Sequence, residues 1–289
     1  MKYLKDLKYL IIGGDERSAY LADELIKDNK NIKIILDKNF CKTDQEKNIE
    51  LAIKDSDVII FPLPISKDGQ NLNINLEKNI SLEKIIDKID SNKIVLGGGA
   101  SEKIKNIFNK KNINFIDYLD REELAVLNAV PTAEGAVEIA MRKLPITIYN
   151  SRCLVTGFGR VSKALVNILL ALKSKVTVVA RKHEDLAWAS ILGCKTFYFK
   201  DFEISVRDQD IIFNTVPSKI INKNILDNIK QDCLIIDLAS KPGGVDLKSA
   251  QELDIKIETA LALPGKVAPK TAGKIIKQTI DNILSEILV

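Results

Sequence analysis

The chain has 289 residues, 46% of them hydrophobic and 28% charged, with a net charge of +4. That length suits one large or two ordinary domains with a full core, and a small surplus that no segment concentrates gives no footprint for nucleic acid. A single histidine, His183, excludes a multi-histidine metal site and argues against a Ser-His-Asp triad, so no metal is expected.

Cys41, Cys153, Cys194 and Cys233 form no CxxC pair and read as reduced thiols in a reducing compartment. The first residues hold too short an apolar run for a signal-peptide core. No stretch approaches a membrane span, so a cytoplasmic location and no membrane partner are expected. Only seven of the 43 basic residues are arginine, which makes each arginine position informative.

In chain order, β-branched runs predict strands at 7–12, 32–36, 57–61, 93–97 and 114–117, with helices near 16–28, 80–90 and 101–110. The first strand meets Gly13-Gly14-Asp15-Glu16-Arg17. Two carboxylates at a helix start oppose a phosphate there and suit the helix dipole. Arg17, the first arginine of the chain, is a candidate clamp for a substrate carboxylate, with Asp15 beside it. Ser66 and the backbone N–H groups of the loop at 97–101 are candidate anion donors on the same edge.

Residues 122–143 read as a connecting helix or helix pair carrying Thr132, a substrate candidate, and Glu134, a candidate acid/base. A second series of strands follows at 152–156, 176–180, 196–199, 210–215, 233–238 and 255–258. Val161, Ala164, Leu165, Ile168, Leu169 and Leu172 form one apolar helical face. Before it stands Gly157-Phe158-Gly159-Arg160-Val161-Ser162, in the strand–loop–helix setting that a dinucleotide fingerprint requires. Gly157 suits the tight turn, Gly159 lets a pyrophosphate approach the backbone, and Ser162 stands where a third glycine is usual. The next strand ends at Arg181-Lys182 and not at an acidic residue, which predicts NADP in preference to NAD. Asn214, Thr215, Val216, Pro217, Ala239 and Ser240 close later strands and are expected to line the cofactor crevice. Pro264-Gly265-Lys266 begins a rigid loop expected over the nicotinamide, with Lys266 a second catalytic candidate. His183 lies at the adenosine end and is expected to be structural or adenine-facing. The segment 271–288 has helical spacing and is expected to pack back on the first domain.

The architecture expected is α/β: two doubly wound parallel-sheet domains, the second a Rossmann dinucleotide-binding domain, with a cleft between them. The expected bounds are 1–126 for the substrate domain, with 272–289 packed on it, and 127–271 for the connector and Rossmann domain.

With these motifs in hand, the chain resembles the A-subunit family of dipicolinate synthases from spore-forming bacteria. The resemblance runs over essentially the whole chain. It rests on Ile11-Ile12-Gly13-Gly14-Asp15 with Arg17, Pro131-Thr132-Ala133-Glu134-Gly135, Gly157-Phe158-Gly159-Arg160 and Ala180-Arg181. It continues through Asn214-Thr215-Val216-Pro217-Ser218, the run from Asp237 to Gly244 and the run from Leu263 to Gly273. The resemblance implies a sporulation enzyme of the mother-cell cytoplasm that oxidises a dihydrodipicolinate-type intermediate to pyridine-2,6-dicarboxylate by hydride transfer. It also implies a smaller partner, a flavoprotein-like B subunit; assembly of identical copies is a separate expectation. A dicarboxylate substrate calls for cationic or N–H-rich clamps at both ends, for which Arg17, Ser66, Thr132, Lys241 and Lys266 are candidates. Two rival readings stand beside it: another two-domain NAD(P)-linked dehydrogenase of an amino or keto acid, and a nucleotide-binding scaffold for a catalytic B subunit.

Overall fold

The computed structural model describes residues 7–28, 30–37, 39–40, 48–75 and 79–288. Cys41 lies outside them. The chain divides into two compact units, Met1–Asn128 with Ala268–Val289, and Ala129–Val267.

The first unit is a five-stranded parallel sheet of β1 (Lys8–Ile12), β2 (Asn31–Ile35), β3 (Val58–Ile60), β4 (Ile94–Gly97) and β5 (Phe115–Asp117), in the order β2-β1-β3-β4-β5. Between the strands run α1 (Glu16–Lys27), α2 (Ile49–Asp55), α3 (Leu82–Ile86) and α4 (Glu102–Lys110). Side chains alternate across a strand, so Tyr9 and Ile11 enter one core while Leu10 and Ile12 enter the other. α3 is a single turn where the apolar spacing predicts a helix over 80–90.

α5 (Glu122–Lys143) is one continuous helix with Pro131 inside it, not a pair. Leu124 belongs to the first unit's core and Ala133, Ala136, Val137 and Ala140 to the second's. α5 is long and apolar enough to cross a membrane by composition, against the expectation that no stretch approaches a span. Half of that window is buried inside the fold, as in a core helix.

The second unit is a six-stranded parallel sheet of β6 (Arg152–Thr156), β7 (Lys175–Ala180), β8 (Lys195–Tyr198), β9 (Ile211–Asn214), β10 (Leu234–Asp237) and β11 (Lys256–Thr259), ordered β11-β10-β9-β6-β7-β8. Counted from its own first strand, this is the 3-2-1-4-5-6 order of a Rossmann sheet. Its helices are α6 (Arg160–Ala171), α7 (His183–Ile191), α8 (Phe202–Ser205), α9 (Lys223–Leu226), α10 (Leu247–Glu252) and α11 (Leu263–Val267). α6 forms because its apolar stripe, including Leu165, Val166 and Leu169, is fully buried on the sheet. The segment read as a rigid loop over 263–270 is mostly helical: α11 holds Leu263 to Val267, and Pro269 opens α12 (Pro269–Ile287) at a position where its missing N–H costs nothing. α12 packs on α1 within the first unit through Ile276, Ile280 and Leu284.

Cys153, Cys194 and Cys233 are free and buried. Burial pushes the Cys153 thiol up to about 11 and raises Cys194 and Cys233 as well. None is an activated nucleophile.

Candidate functional site

In a doubly wound sheet, ligands bind outside the carboxyl ends of the strands, where the strand order reverses. In the second unit that place lies between β6 and β9. After β6 the chain turns at Gly157, whose φ of +78° lies in the left-handed region and whose N–H donates to the Val179 carbonyl at 2.7 Å. A Cβ there would also stand 3.1 Å from Thr215 Oγ1. Gly159 is the N-cap of α6, and no side chain caps that helix. A Cβ at Gly159 would meet nothing within 4 Å. No N-cap side chain closes the start of this twelve-residue helix, whose first N–H groups form its positive end. Arg160 and Val161 form its first turn, exposed and half-buried respectively.

Behind the loop is a buried hydrogen-bonded network. Ser162, fully buried, bonds the Thr215 hydroxyl at 2.8 Å, and Thr215 Oγ1 donates to the Thr156 carbonyl at 2.7 Å. With its proton spent there, Thr215 receives one from Ser162. The serine in the third fingerprint position is therefore buried and ties α6 to the end of β9, which Thr215 in turn ties to β6. Asn214, also fully buried, accepts from Thr156 Oγ1 at 2.6 Å and from the Val216 N–H at 3.2 Å. Its Nδ2 donates to Asp237 Oδ1 at 2.7 Å and to the Val216 carbonyl at 3.2 Å. All four hydrogen-bonding positions of the Asn214 amide are used. Asn214 and Thr215, expected to line the cofactor crevice, thus spend their side-chain hydrogen bonds within the protein and hold the floor of the crevice. Asp237 further accepts from the Ala239 N–H at 3.2 Å and the Gly244 N–H at 2.9 Å. Ala239 is buried in that turn, while Ser240, Lys241 and Pro217 are exposed around it.

At the end of β7, Arg181 is exposed. Lys182 pairs with Glu184 at 3.1 Å, both on the surface, so the two neighbouring cations are not equivalent. The His183 ring lies 4.6 Å from Tyr198. On α5, Glu134 is exposed and lines a groove with Met141, Arg142, Ile168 and Leu172. Its neighbour Gly135 lies against Leu263 and Val267 of α11, where a Cβ would come within 3.1 Å of Val267. Glu134 and the exposed Lys266 therefore stand on two segments packed together, with Pro264 and Gly265 half-buried in the turn between. Thr132, two residues before Glu134 on α5, is half-buried.

The first unit's carboxyl edge is occupied by its own side chains. Asp15 caps α1 by accepting from the Arg17 N–H at 3.0 Å. Arg17 turns its Nε and Nη2 back onto the same carboxylate at 2.9 and 2.7 Å, and Nη2 also reaches the Leu63 carbonyl. Its fork is thus committed inside the unit, and the Asp15 carboxylate is neutralised rather than presented. Ser66 is corrected too: its hydroxyl donates to Asp68 at 3.0 Å and accepts from Gly69 at 2.9 Å, which closes a turn. The N–H groups of Gly99 and Ala100 are held by the Asp117 carboxylate at 2.9 and 2.8 Å, so that loop has little left for an anion. The supporting roles of Asp117, Thr156 and Asp237 do not stand out in the sequence. The available signal is an Asp at the last position of a strand, shared by β5 and β10.

Known proteins share this build. Residues 8–119 match the family model for the N-terminal domain of the dipicolinate synthase A subunit, and residues 144–247 match one described as "Putative NAD(P)-binding". The chain is 31% identical to the dipicolinate synthase A subunit of Bacillus subtilis over 98% of both sequences. It belongs to the family of dipicolinate synthase A subunits. Its fold is similar to the crystal structure of that protein from Bacillus halodurans, with a TM-score of 0.91, 28% identity and coverage of 98% of this chain and 99% of that one. The A chain from Bacillus subtilis gives 0.89 and 30%, covering 99% and 98%. A transhydrogenase from Sinorhizobium meliloti, at 13% identity and a TM-score of 0.69 over 97% and 94%, shares the fold alone. The match to the putative NAD(P)-binding model falls within the second unit, and the relative's name, that of an A subunit, implies that it has a partner subunit.

Proposed function

We propose that this chain is the A subunit of a cytoplasmic dipicolinate-forming oxidoreductase that serves sporulation. It binds NADP in preference to NAD and removes a hydride from a dihydrodipicolinate-type dianion. The observation that carries the proposal is the α6 entrance, where the N-cap is a glycine without a side chain and the space before it is open. The residues fit a dinucleotide: the uncapped N–H groups suit a pyrophosphate, and the Gly157 turn holds the backbone clear of it. Arg181, whose neighbour Lys182 is occupied by Glu184, suits a 2′-phosphate through paired hydrogen bonds.

Oxidation of a dihydropyridine dicarboxylate releases a hydride and a proton and leaves the aromatic diacid. A bound nicotinamide would supply the hydride acceptor. The chain's own task is to hold the dianion and take the proton. Lys241 and Thr132 remain candidates for the carboxylates, with Arg17 limited to the donors that Asp15 and Leu63 leave it. Glu134 and Lys266, on their adjoining segments, are the candidates for the proton. Loss of a general base lowers turnover by about 100-fold or more. Glu134→Gln and Lys266→Met, assayed separately for kcat, decide between them.

Calorimetry with NADP and NAD tests the cofactor claim. NADP should bind at least about tenfold more tightly, from one or two charge-assisted hydrogen bonds, and Arg181→Ala should erase that margin. Equal dissociation constants would end the phosphate argument. The relative's name, that of an A subunit, favours one other reading, in which a B subunit completes the active site. The chain alone, given dihydrodipicolinate and NADP, should produce NADPH. Silence until the B partner is added moves the chemistry to the complex.

A further inference from the structure

We propose a second ligand site on the opposite edge of the second sheet, for a small molecule carrying a phosphate group. The starts of β6, β7 and β8 bring Arg152, Lys175 and Lys195 to a groove of about 700 Å³, which Arg207 joins from the turn after α8. The groove is separated from Gly157 by the length of β6, about 13 Å for four residue steps, so it is no part of the dinucleotide entrance. Four cations line it against a single carboxylate, Asp208, whose contact with Arg152 is long at 3.7 Å and exposed. Two of the chain's seven arginines stand here, although lysine is the chain's usual cation.

The lining also contains a polar group in want of a donor. Gln209 is 7% exposed, its Nε2 is spent on the Ser205 carbonyl at 2.7 Å, and its Oε1 is buried with no hydrogen-bond partner among the described residues. The Ser205 bond fixes which end of the amide is oxygen. An oxyanion that also carries an O–H satisfies both demands: its charged oxygens meet the guanidinium and ammonium groups, and its hydroxyl supplies the donor. Inorganic phosphate keeps an O–H near neutral pH, and a sugar phosphate, whose ester group is mostly ionised there, brings hydroxyls of its sugar, whereas sulfate has the charge without the O–H. The volume is in the range of small-molecule sites.

Calorimetric titration with inorganic phosphate, ribose 5-phosphate and sulfate tests the assignment. Saturable binding of a phosphate species is expected, with sulfate weaker. Ribose 5-phosphate binding more tightly than inorganic phosphate identifies an ester site, and the reverse order identifies free phosphate. The double variant Arg207→Ala/Lys175→Ala changes two exposed side chains and should weaken binding by about tenfold or more, with NADP affinity unchanged. Arg181→Ala should leave phosphate binding as it was. Binding that survives the double variant, binding lost with Arg181, or equal affinity for sulfate overturns the assignment.

Discussion

The two sheets present the same local construction at their reversal points and use it in opposite ways. In each, a buried strand ends in a glycine turn and feeds a twelve-residue helix. At the first, Asp15 caps α1 and Arg17 folds over the cap, reaching the Leu63 carbonyl beyond β3. At the second, Gly159 leaves α6 uncapped, and the polar side chains are drawn behind the loop into the Thr156, Asn214 and Asp237 network. A strand–glycine–helix unit is therefore not a nucleotide site by itself. What decides is whether the chain spends its own charge on the helix dipole or leaves that to a ligand.

The largest expected effect separates the buried carboxylates that support the two edges. Asp237→Ala strands Asn214 Nδ2 and the N–H groups of Ala239 and Gly244 inside the protein, which should cost about 3 kcal/mol. Asp117→Ala releases Gly99, Ala100 and Leu119 N–H groups in a half-buried loop where water can replace it, at about 1 kcal/mol. Urea unfolding of both variants checks the ratio. Similar losses would mean that the second edge is no more pre-built than the first.

Gly159→Asp should convert the second entrance into the first kind. The backbone there is extended, with φ −83°, and a Cβ meets nothing, so the fold accepts the change and the new carboxylate caps α6. Dinucleotide affinity should fall about 100-fold, since a fixed negative charge faces the pyrophosphate, while the melting temperature holds or rises. Unchanged NADP affinity in calorimetry would remove α6 from the site. Gly273→Ala is the reciprocal change in the first unit. Its Cβ would stand 2.7 Å from the Arg17 carbonyl and 3.0 Å from the Leu21 nitrogen, which are backbone atoms of α1. Displacing α1 should cost about 2 kcal/mol and leave NADP binding intact.

Much of this contrast could be read in the sequence. The strands alternate or run apolar as buried parallel strands do, and Gly157 to Ser162 declares its turn and helix through residue types with few other uses. Asp15 and Glu16 likewise announce a capped helix. The sequence did not show where side chains spend their hydrogen bonds. Asn214 and Thr215 look like ligand contacts at a strand end, yet both face inward, because Thr156 and Asp237 arrive beside them from strands 58 and 23 residues away. Ser66 reads as an anion donor for the same reason, and Asp68, two residues on, claims it. Pairings that depend on parallel register between distant strands leave no periodic trace. The helical course of Pro264 to Val267 was hidden as well, because proline and glycine near a helix start read equally well as a loop.

The smallest expected effect distinguishes the units by pH. Buried thiols belong to the second unit among the described residues, and buried tyrosines with raised hydroxyls to the first: burial, aided by Asp281, takes Tyr9 up to about 12, and burial raises Tyr118 too. An unfolded thiol loses its proton near 9, whereas Cys153 in the fold keeps its own until about 11. Between those values the folded state holds more protons than the unfolded one, so stability falls as pH rises, by about 1 kcal/mol at pH 10 for Cys153. The tyrosines begin the same loss only above 10, their ordinary value. Between pH 9 and 10 the second unit should therefore weaken while the first does not. Hydrogen exchange resolved by segment can read this, and a thiol reagent at neutral pH should leave Cys153, Cys194 and Cys233 unmodified in the native protein. Rapid modification of any of the three would show that the second unit opens locally far more readily than its packed sheet implies.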